Sequence, residues 1–293
     1  MPRMDVITPE YRALLAEGPV WHEGMLWYVD IQRGALCRVG LDGSGFEWRA
    51  LVELLGAASP CDDGRWLLAY EDGLMLYDWD RDEREVVSDV LRDVPFRMND
   101  GKADPRGRFW VGTIATERGA GSASFYCYEH GRGIATHLTG VTISNGLDWS
   151  ADGSRMYYID TPTKRVDVFD FDMERGAISN RQPLVVFGED AGGPDGMCLD
   201  ADGHAWVAFW GGSCVRCFDG ETGEQLREVA VPAERVTSCC FAGEGLDRLV
   251  ITTASAGLRD DELEAQPGAG RVFVTDVGVR GRAGHAVRLN TSR

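Results

Sequence analysis

Basic charge is scarce in this sequence. Its 30 lysines and arginines face 47 aspartates and glutamates, a formal charge of −17, and only Lys102 and Lys164 among the 30 are lysine. A surface of that sign repels phosphate, which argues against nucleic acid and anionic membranes as partners. No apolar run approaches the ~18 residues that cross a bilayer. The opening stretch MPRMDVITPEYRALLAEG has neither an apolar centre nor a small-residue cleavage site, so the expected location is the cytoplasm. Helix signals are few, with Pro9–Glu17, Ala50–Leu55 and Asp260–Ala265 the helix-capable stretches. No Pro/Ser-rich linker divides the chain, so residues 1–293 read as one domain, expected as a monomer or weak homo-oligomer. Also missing are a G-x-S-x-G elbow, an H-E-x-x-H pair, a Walker A loop and a G-x-G-x-x-G after a strand. The five histidines, His22, His130, His137, His204 and His285, include no second histidine at metal-ligand spacing. A serine–histidine hydrolase and a histidine-rich zinc site are therefore disfavoured. At 44% hydrophobic residues the chain has enough apolar material for a core.

Eight cysteines are present, and in a long chain without a leader they read as reduced, buried small hydrophobes. Cys214-Val-Arg-Cys217 matches C-x-x-C, but it lies in a strand-like run. Positions i and i+3 of a strand point to opposite faces, so one metal or one disulfide would need a bend there.

What is present is a repeat. A turn with Asp and Gly, a β-rich run carrying an aromatic, and a second strand recur from His22, Cys61, Asp104, Ser150, Asp200 and Gly243. The anchor glycines Gly24, Gly64, Gly107, Gly153 and Gly203 are spaced by 40, 43, 46 and 50 residues, and a sixth copy centres 44 further on near Asp247. Six copies at this period, each with several short strands, predict an all-β fold: a six-bladed β-propeller with four-stranded antiparallel blades around a central channel. Runs such as Leu26–Val29, Trp66–Ala69, Phe109–Gly112 and Ala205–Ala208 are apolar almost without alternation, as expected of strands covered on both faces by neighbouring blades.

Four segments break the apolar pattern, each read as lying just before an inner strand. They are 16–19, 97–102, 143–148 and 193–197, and each places a carboxylate or amide beside Gly or Pro, one blade apart. Converging on one axis, Glu17, Asn145 and Asp195 would offer two carboxylates and an amide carbonyl, a hard-oxygen set for Ca²⁺, Mg²⁺, Mn²⁺ or Zn²⁺. The rival reading makes the same residues turn formers, since Asn-Gly and Asp-Gly commonly make hairpins.

The motifs EGPVW (17–21), RMNDGKADPRGRFWVGT (97–113), ISNGLDWS (143–150), PDGMCLDADGHAWVA (194–208) and TSCCF (237–241) together resemble the SMP-30/gluconolactonase/LRE family, also called regucalcin or senescence marker protein 30. The resemblance runs in order from about Leu15 to Gly281. It implies a six-bladed propeller with one divalent metal ion in the channel, Ca²⁺ or Zn²⁺ first and Mg²⁺, Mn²⁺ or Fe²⁺ next, and hydrolysis of sugar lactones to aldonic acids. Carried over by position, it implies that Glu17, Asn145 and Asp195 hold the metal and that Arg97, Asn99 and Glu117 contact substrate. Lys102 lies in the same motif, and its expected role is to pair with an acidic neighbour. The H-E-G turn after EGPVW is short, so a lid over the site would come from Glu117–Ser124, rich in Gly and Ser.

Opening a lactone needs a polarised carbonyl, an activated water and a place for the sugar hydroxyls. One divalent cation supplies the first two, Asp195 would serve as both ligand and general base, and Arg97 and Asn99 would fix hydroxyls or the ring oxygen. The expected activity is a divalent-metal-dependent lactonase, a carboxylic ester hydrolase acting on a small sugar lactone. The rivals are a calcium-binding regulatory protein without turnover, and a hydrolase of phosphotriesters or non-sugar lactones using the same metal.

Overall fold

The computed structural model describes residues 4–115 and 119–290. Six four-stranded antiparallel sheets form the blades of a six-bladed propeller, spanning residues 16–50, 55–88, 96–141, 144–186 and 193–230, with the sixth built from 236–275 together with Met4–Val6. Met4–Val6 pairs antiparallel with Phe273–Thr275, so the N-terminal strand completes the last blade and closes the ring. Within each of the first five blades the chain runs outward, strand by strand, from the channel to the rim.

The anchor glycines mark the hairpins between first and second strands. Gly24, Gly64, Gly107, Gly153 and Gly203 all have positive φ, between 68° and 88°, which a residue without Cβ adopts freely. The apolar runs singled out in the sequence are the second strands, such as Met25–Asp30, Trp66–Tyr70 and Ala205–Trp210. Their side chains alternate between two seams. Trp27 and Val29 pack toward the second blade, whereas Leu26 and Tyr28 pack toward the sixth. Both faces being apolar, the run shows no polar alternation. Six such clusters fill the seams between blades, and the core is this ring of wedges around a channel with polar walls. Cys214 and Cys217 on one strand fall in different seams, and all eight cysteines are free.

Two sequence expectations are corrected. The polar segments do not precede the inner strands; they are the inner strands, Ala16–His22, Phe96–Ala103, Ser144–Trp149 and Gly193–Leu199. Two of the helix-capable stretches are not helical: Pro9–Glu17 ends in the innermost strand of the first blade, and Ala50–Leu55 links two blades. Each is too short to hold a helix by propensity, and its apolar residues Ala13, Ala16, Leu51 and Leu55 are buried in seams instead. Asp260–Ala265 is the α-helix among the described residues. The stretch Glu117–Ser124 begins outside the described residues and runs into Ala123–Glu129, the third strand of its blade.

Candidate metal centre

Every inner strand carries the same irregularity. Its pairing with the second strand slips between Glu17 and Val20, Leu55 and Ala57, Met98 and Gly101, Asn145 and Leu147, Pro194 and Met197, and Val236 and Ser238. A bulge re-aims side chains that a regular ladder would send into the seams. Four of these bulges, in the first, third, fourth and fifth blades, carry Glu17, Asn99, Asp100, Asn145 and Asp195, each 5–8% exposed.

The glycines beside these residues are close-approach positions. Gly146 and Gly196 lie within strands and lack positive φ. A Cβ on Gly146 would come within 2.6 Å of the Asp195 carbonyl oxygen, and one on Gly196 within 2.1 Å of Ser238 Oγ. Asn-Gly and Asp-Gly here let neighbouring inner strands touch across the channel wall, so the hairpin reading does not hold at Asn145 and Asp195.

Acidic residues outside the channel hold the inner strands in place. Asp30 accepts the backbone N–H groups of Leu14 and Leu15 at 3.1 and 3.0 Å, and Asp160 accepts those of Thr142 and Ile143. Glu71 does the same for Glu53 and Leu54. Each carboxylate pins the segment that enters an inner strand.

Within the cluster, Arg97 Nη1 donates to Asn99 Oδ1 at 2.8 Å, and Asn99 Nδ2 donates to Asn145 Oδ1 at 2.9 Å and to the Ser144 carbonyl at 2.7 Å. Asn145 Nδ2 donates to Thr161 Oγ1, which donates to the Pro194 carbonyl, both at 2.8 Å. This chain fixes the orientation of both amides, with Asn145 Oδ1 turned to Asn99 on the neighbouring inner strand. Thr161 was not singled out in the sequence, and nothing in its local pattern marks it. Asp100 was quoted within the N-D-G motif yet given no role. It lines the cavity that Lys102 also lines and Asn99 does not, and its charge acts on Glu17 and Asp195.

Charge is unbalanced at this level. Among the described residues, no guanidinium or ammonium lies within ion-pair distance of Glu17 or Asp195. Burial, then Asp195 and Asp100, holds the Glu17 carboxyl well above the usual carboxylate range. Burial and then Asp100 do the same to Asp195, and burial pushes Asp100 up to about 6 against the pull of Lys102. Burial lowers Arg97 to about 10, opposed by Glu17 and Asp195. Buried carboxylates at close quarters need a cation or a proton. Two carboxylates and an oriented amide oxygen, with no nitrogen or sulfur donor, fit a hard divalent ion. Glu17, Asn145 and Asp195 would hold it.

Lys102 does pair with an acid: its Nζ is 3.3 Å from Asp148 Oδ2 and donates to the Met197 carbonyl at 3.1 Å. Below the cluster, a cavity of about 80 Å³ continues the channel, lined by Asp100, Lys102, Asp148, Cys198, Cys239 and His285 among others. None of Glu17, Arg97, Asn99, Asn145 or Asp195 lines it. Glu117 lies outside the described residues.

No helix among the described residues is long and apolar enough to cross a membrane. Comparison with known proteins agrees with the ring. The chain is 38% identical to regucalcin of Danio rerio over 272 residues, which are 91% of this chain and 92% of that protein. A luciferin-regenerating enzyme structure superposes with a TM-score of 0.92 at 31% identity, covering 99% of this chain and 100% of the other. A calcium-binding regucalcin of Agrobacterium tumefaciens gives 0.91 at 28% identity, with 98% of each chain covered. The family model described as "SMP-30/Gluconolactonase/LRE-like region" matches residues 15–255, and this chain belongs to that family.

Proposed function

We propose that the protein is a divalent-metal-dependent lactonase that opens sugar lactones to aldonic acids. The observation that carries this reading is the pair of buried carboxylates, Glu17 and Asp195, facing one channel level with the Asn145 amide and no ion-paired cation. An ion held there would polarise the lactone carbonyl and acidify water. The protein's own part is positional. Glu17 and Asn145 are ligands, and Asp195 is the ligand that also accepts the proton lost by the attacking water. Arg97 and Asn99, already hydrogen-bonded to each other, present a guanidinium and an amide to the sugar hydroxyls or ring oxygen. The inward-facing bulges bury the reacting groups, which strengthens every charge interaction among them.

The expected substrate is a small sugar lactone, and the expected compartment is the cytoplasm. The all-oxygen donor set favours Ca²⁺, and the calcium-binding relative supports that choice over Zn²⁺. The same set equally serves a calcium-binding protein without turnover. Titrating the acid released from a panel of aldonolactones, with and without chelator, separates the two: rate that falls with chelator and returns with metal supports the lactonase, and calcium binding with no acid release supports the regulator.

A further inference from the structure

At the opposite end of the fifth blade's inner strand lies a second cluster with different chemistry. Asp200 directly follows that strand and is fully buried. His204 precedes the second strand, and Cys217 is on the third. One ligand atom from each lies within 4.8 Å of the others. Five residues separate Asp200 from Asp195, about 16 Å along a strand, so this cluster is not part of the channel centre.

The propeller contains its own control. In the third blade Asp104, Arg108, Trp110 and Cys127 occupy the places of Asp200, His204, Trp206 and Cys217. Trp110 pairs with Cys127 in the ladder as Trp206 pairs with Cys217. Both aspartates accept two turn N–H groups on Oδ1 and a tryptophan Nε1–H on Oδ2, at 2.9 Å from Trp110 and 3.0 Å from Trp206. The scaffold is the same and the counter-charge differs. Asp104 is neutralised by Arg108 Nε at 2.6 Å, a buried guanidinium that cannot ligate. Asp200 has only the His204 imidazole, with Nδ1 at 3.1 Å from Oδ2, as an ion-pair partner among the described residues. Both blades carry the thiol, but only in the fifth does an imidazole, which can ligate, stand where the third blade has a guanidinium.

We infer that Asp200, His204 and Cys217 form a second metal site, selective for a borderline divalent ion of the Zn²⁺ or Co²⁺ class. The N, O and S donors are the mixed set such ions take, with three protein ligands and a fourth position left for water. His204 is partly exposed, its side chain 28% accessible, which gives the ion an entry path. The ion takes the place of the proton between His204 Nδ1 and Asp200 Oδ2, the neutral imidazole carrying its one N–H on Nε2 after exchange with solvent, and the Cys217 thiol releases its proton to solvent as the metal–sulfur bond forms. The site ties the 200–204 turn to the third strand where the C-terminal segment docks, since Asp200 pairs with Gly281 and the Ala201 N–H donates to the Arg280 carbonyl at 2.8 Å.

Cobalt(II) added to metal-stripped, full-length protein tests this, because only a thiolate ligand gives the near-ultraviolet sulfur-to-cobalt charge-transfer band. The channel centre, all oxygen, cannot produce it. The expected result is a band that saturates at one equivalent, is displaced by Zn²⁺, disappears in Cys217→Ser and in His204→Gln, and survives in Asp195→Asn. Circular dichroism checks that the variants fold, and His204→Gln, partly exposed, keeps the test valid should Cys217→Ser unfold. No band at excess cobalt overturns the assignment. So does a band that persists in folded Cys217→Ser, which would place the thiolate elsewhere, such as the Cys198 and Cys239 pair whose sulfurs are 3.7 Å apart.

Discussion

Replacing Asp195 with Asn removes a negative charge and a proton acceptor while keeping the side chain's size and one carbonyl oxygen. In the proposed lactonase both losses matter. Metal affinity falls, and the rate stays roughly 10²–10⁴-fold low even at saturating metal, the usual contribution of a general base. Recovery of the wild-type rate at high metal would reduce Asp195 to a ligand. Asn99→Ala makes a different prediction. Asn99 donates to Asn145 Oδ1 and accepts from Arg97, so its removal loosens both partners without deleting a carboxylate. kcat/KM should fall about ten- to a hundred-fold, the scale of a hydrogen bond lost in a closed site, while calorimetry finds the metal still bound. Loss of the metal would mean that Asn99 belongs to the ligand set.

The inner strand is the element on which the centre depends, and its bulge is the device. Gly146→Ala places a methyl against the Asp195 carbonyl oxygen, at 2.6 Å from a backbone that cannot move alone. Stability should drop by about 1–3 kcal/mol, as for overpacking, and metal affinity should fall with it because Asp195 is displaced. A thermal melt and a calcium titration check both, and a variant unchanged in each would contradict the close-packing account. The bulge also marks how far the sequence was legible. Anchor glycines and doubly covered apolar runs disclosed the blades, because tight hairpins and seam burial act through local residue types. The polar segments were visible as exceptions to that pattern. Their position within the inner strands was not, because a bulge leaves no local signature, and Gly146 in a strand looks the same in sequence as Gly153 in a turn. Thr161 and the pinning roles of Asp30, Glu71 and Asp160 arise from contacts across the fold, which periodicity does not record.

For the molecule as a whole, Met4–Val6 pairs with Phe273–Thr275 and supplies the outer strand of the sixth blade. Deleting residues 1–6 leaves the sixth blade with an open edge, and the melting temperature should fall by several degrees, as expected when about 1–2 kcal/mol is lost. An unchanged melt would show that closure contributes nothing. Protonation acts on the same global quantity. Asp100, Glu17 and Asp195 have carboxyls raised in the folded chain. A folded state that binds protons more tightly than the unfolded chain loses stability as pH rises through that window. For Asp100 the window runs from the ordinary aspartate value to about 6, and Glu17 and Asp195 shift in the same direction. Metal-stripped protein should therefore melt at higher temperature near pH 5 than near pH 7, and metal should narrow the difference by supplying the missing cation. A stripped protein more stable at the higher pH would reverse the sign and contradict the burial of these carboxylates.

The most direct test of the central claim is acid release from an aldonolactone by protein stripped to a metal content confirmed by elemental analysis, followed by stepwise addition of Ca²⁺ to the same sample. The account predicts a rate at the uncatalysed background in the stripped protein, rising with calcium to saturation at one equivalent per chain in the channel. An undiminished rate in the confirmed metal-free sample would contradict it, because Glu17, Asn145 and Asp195 would then be catalysing nothing through a shared cation.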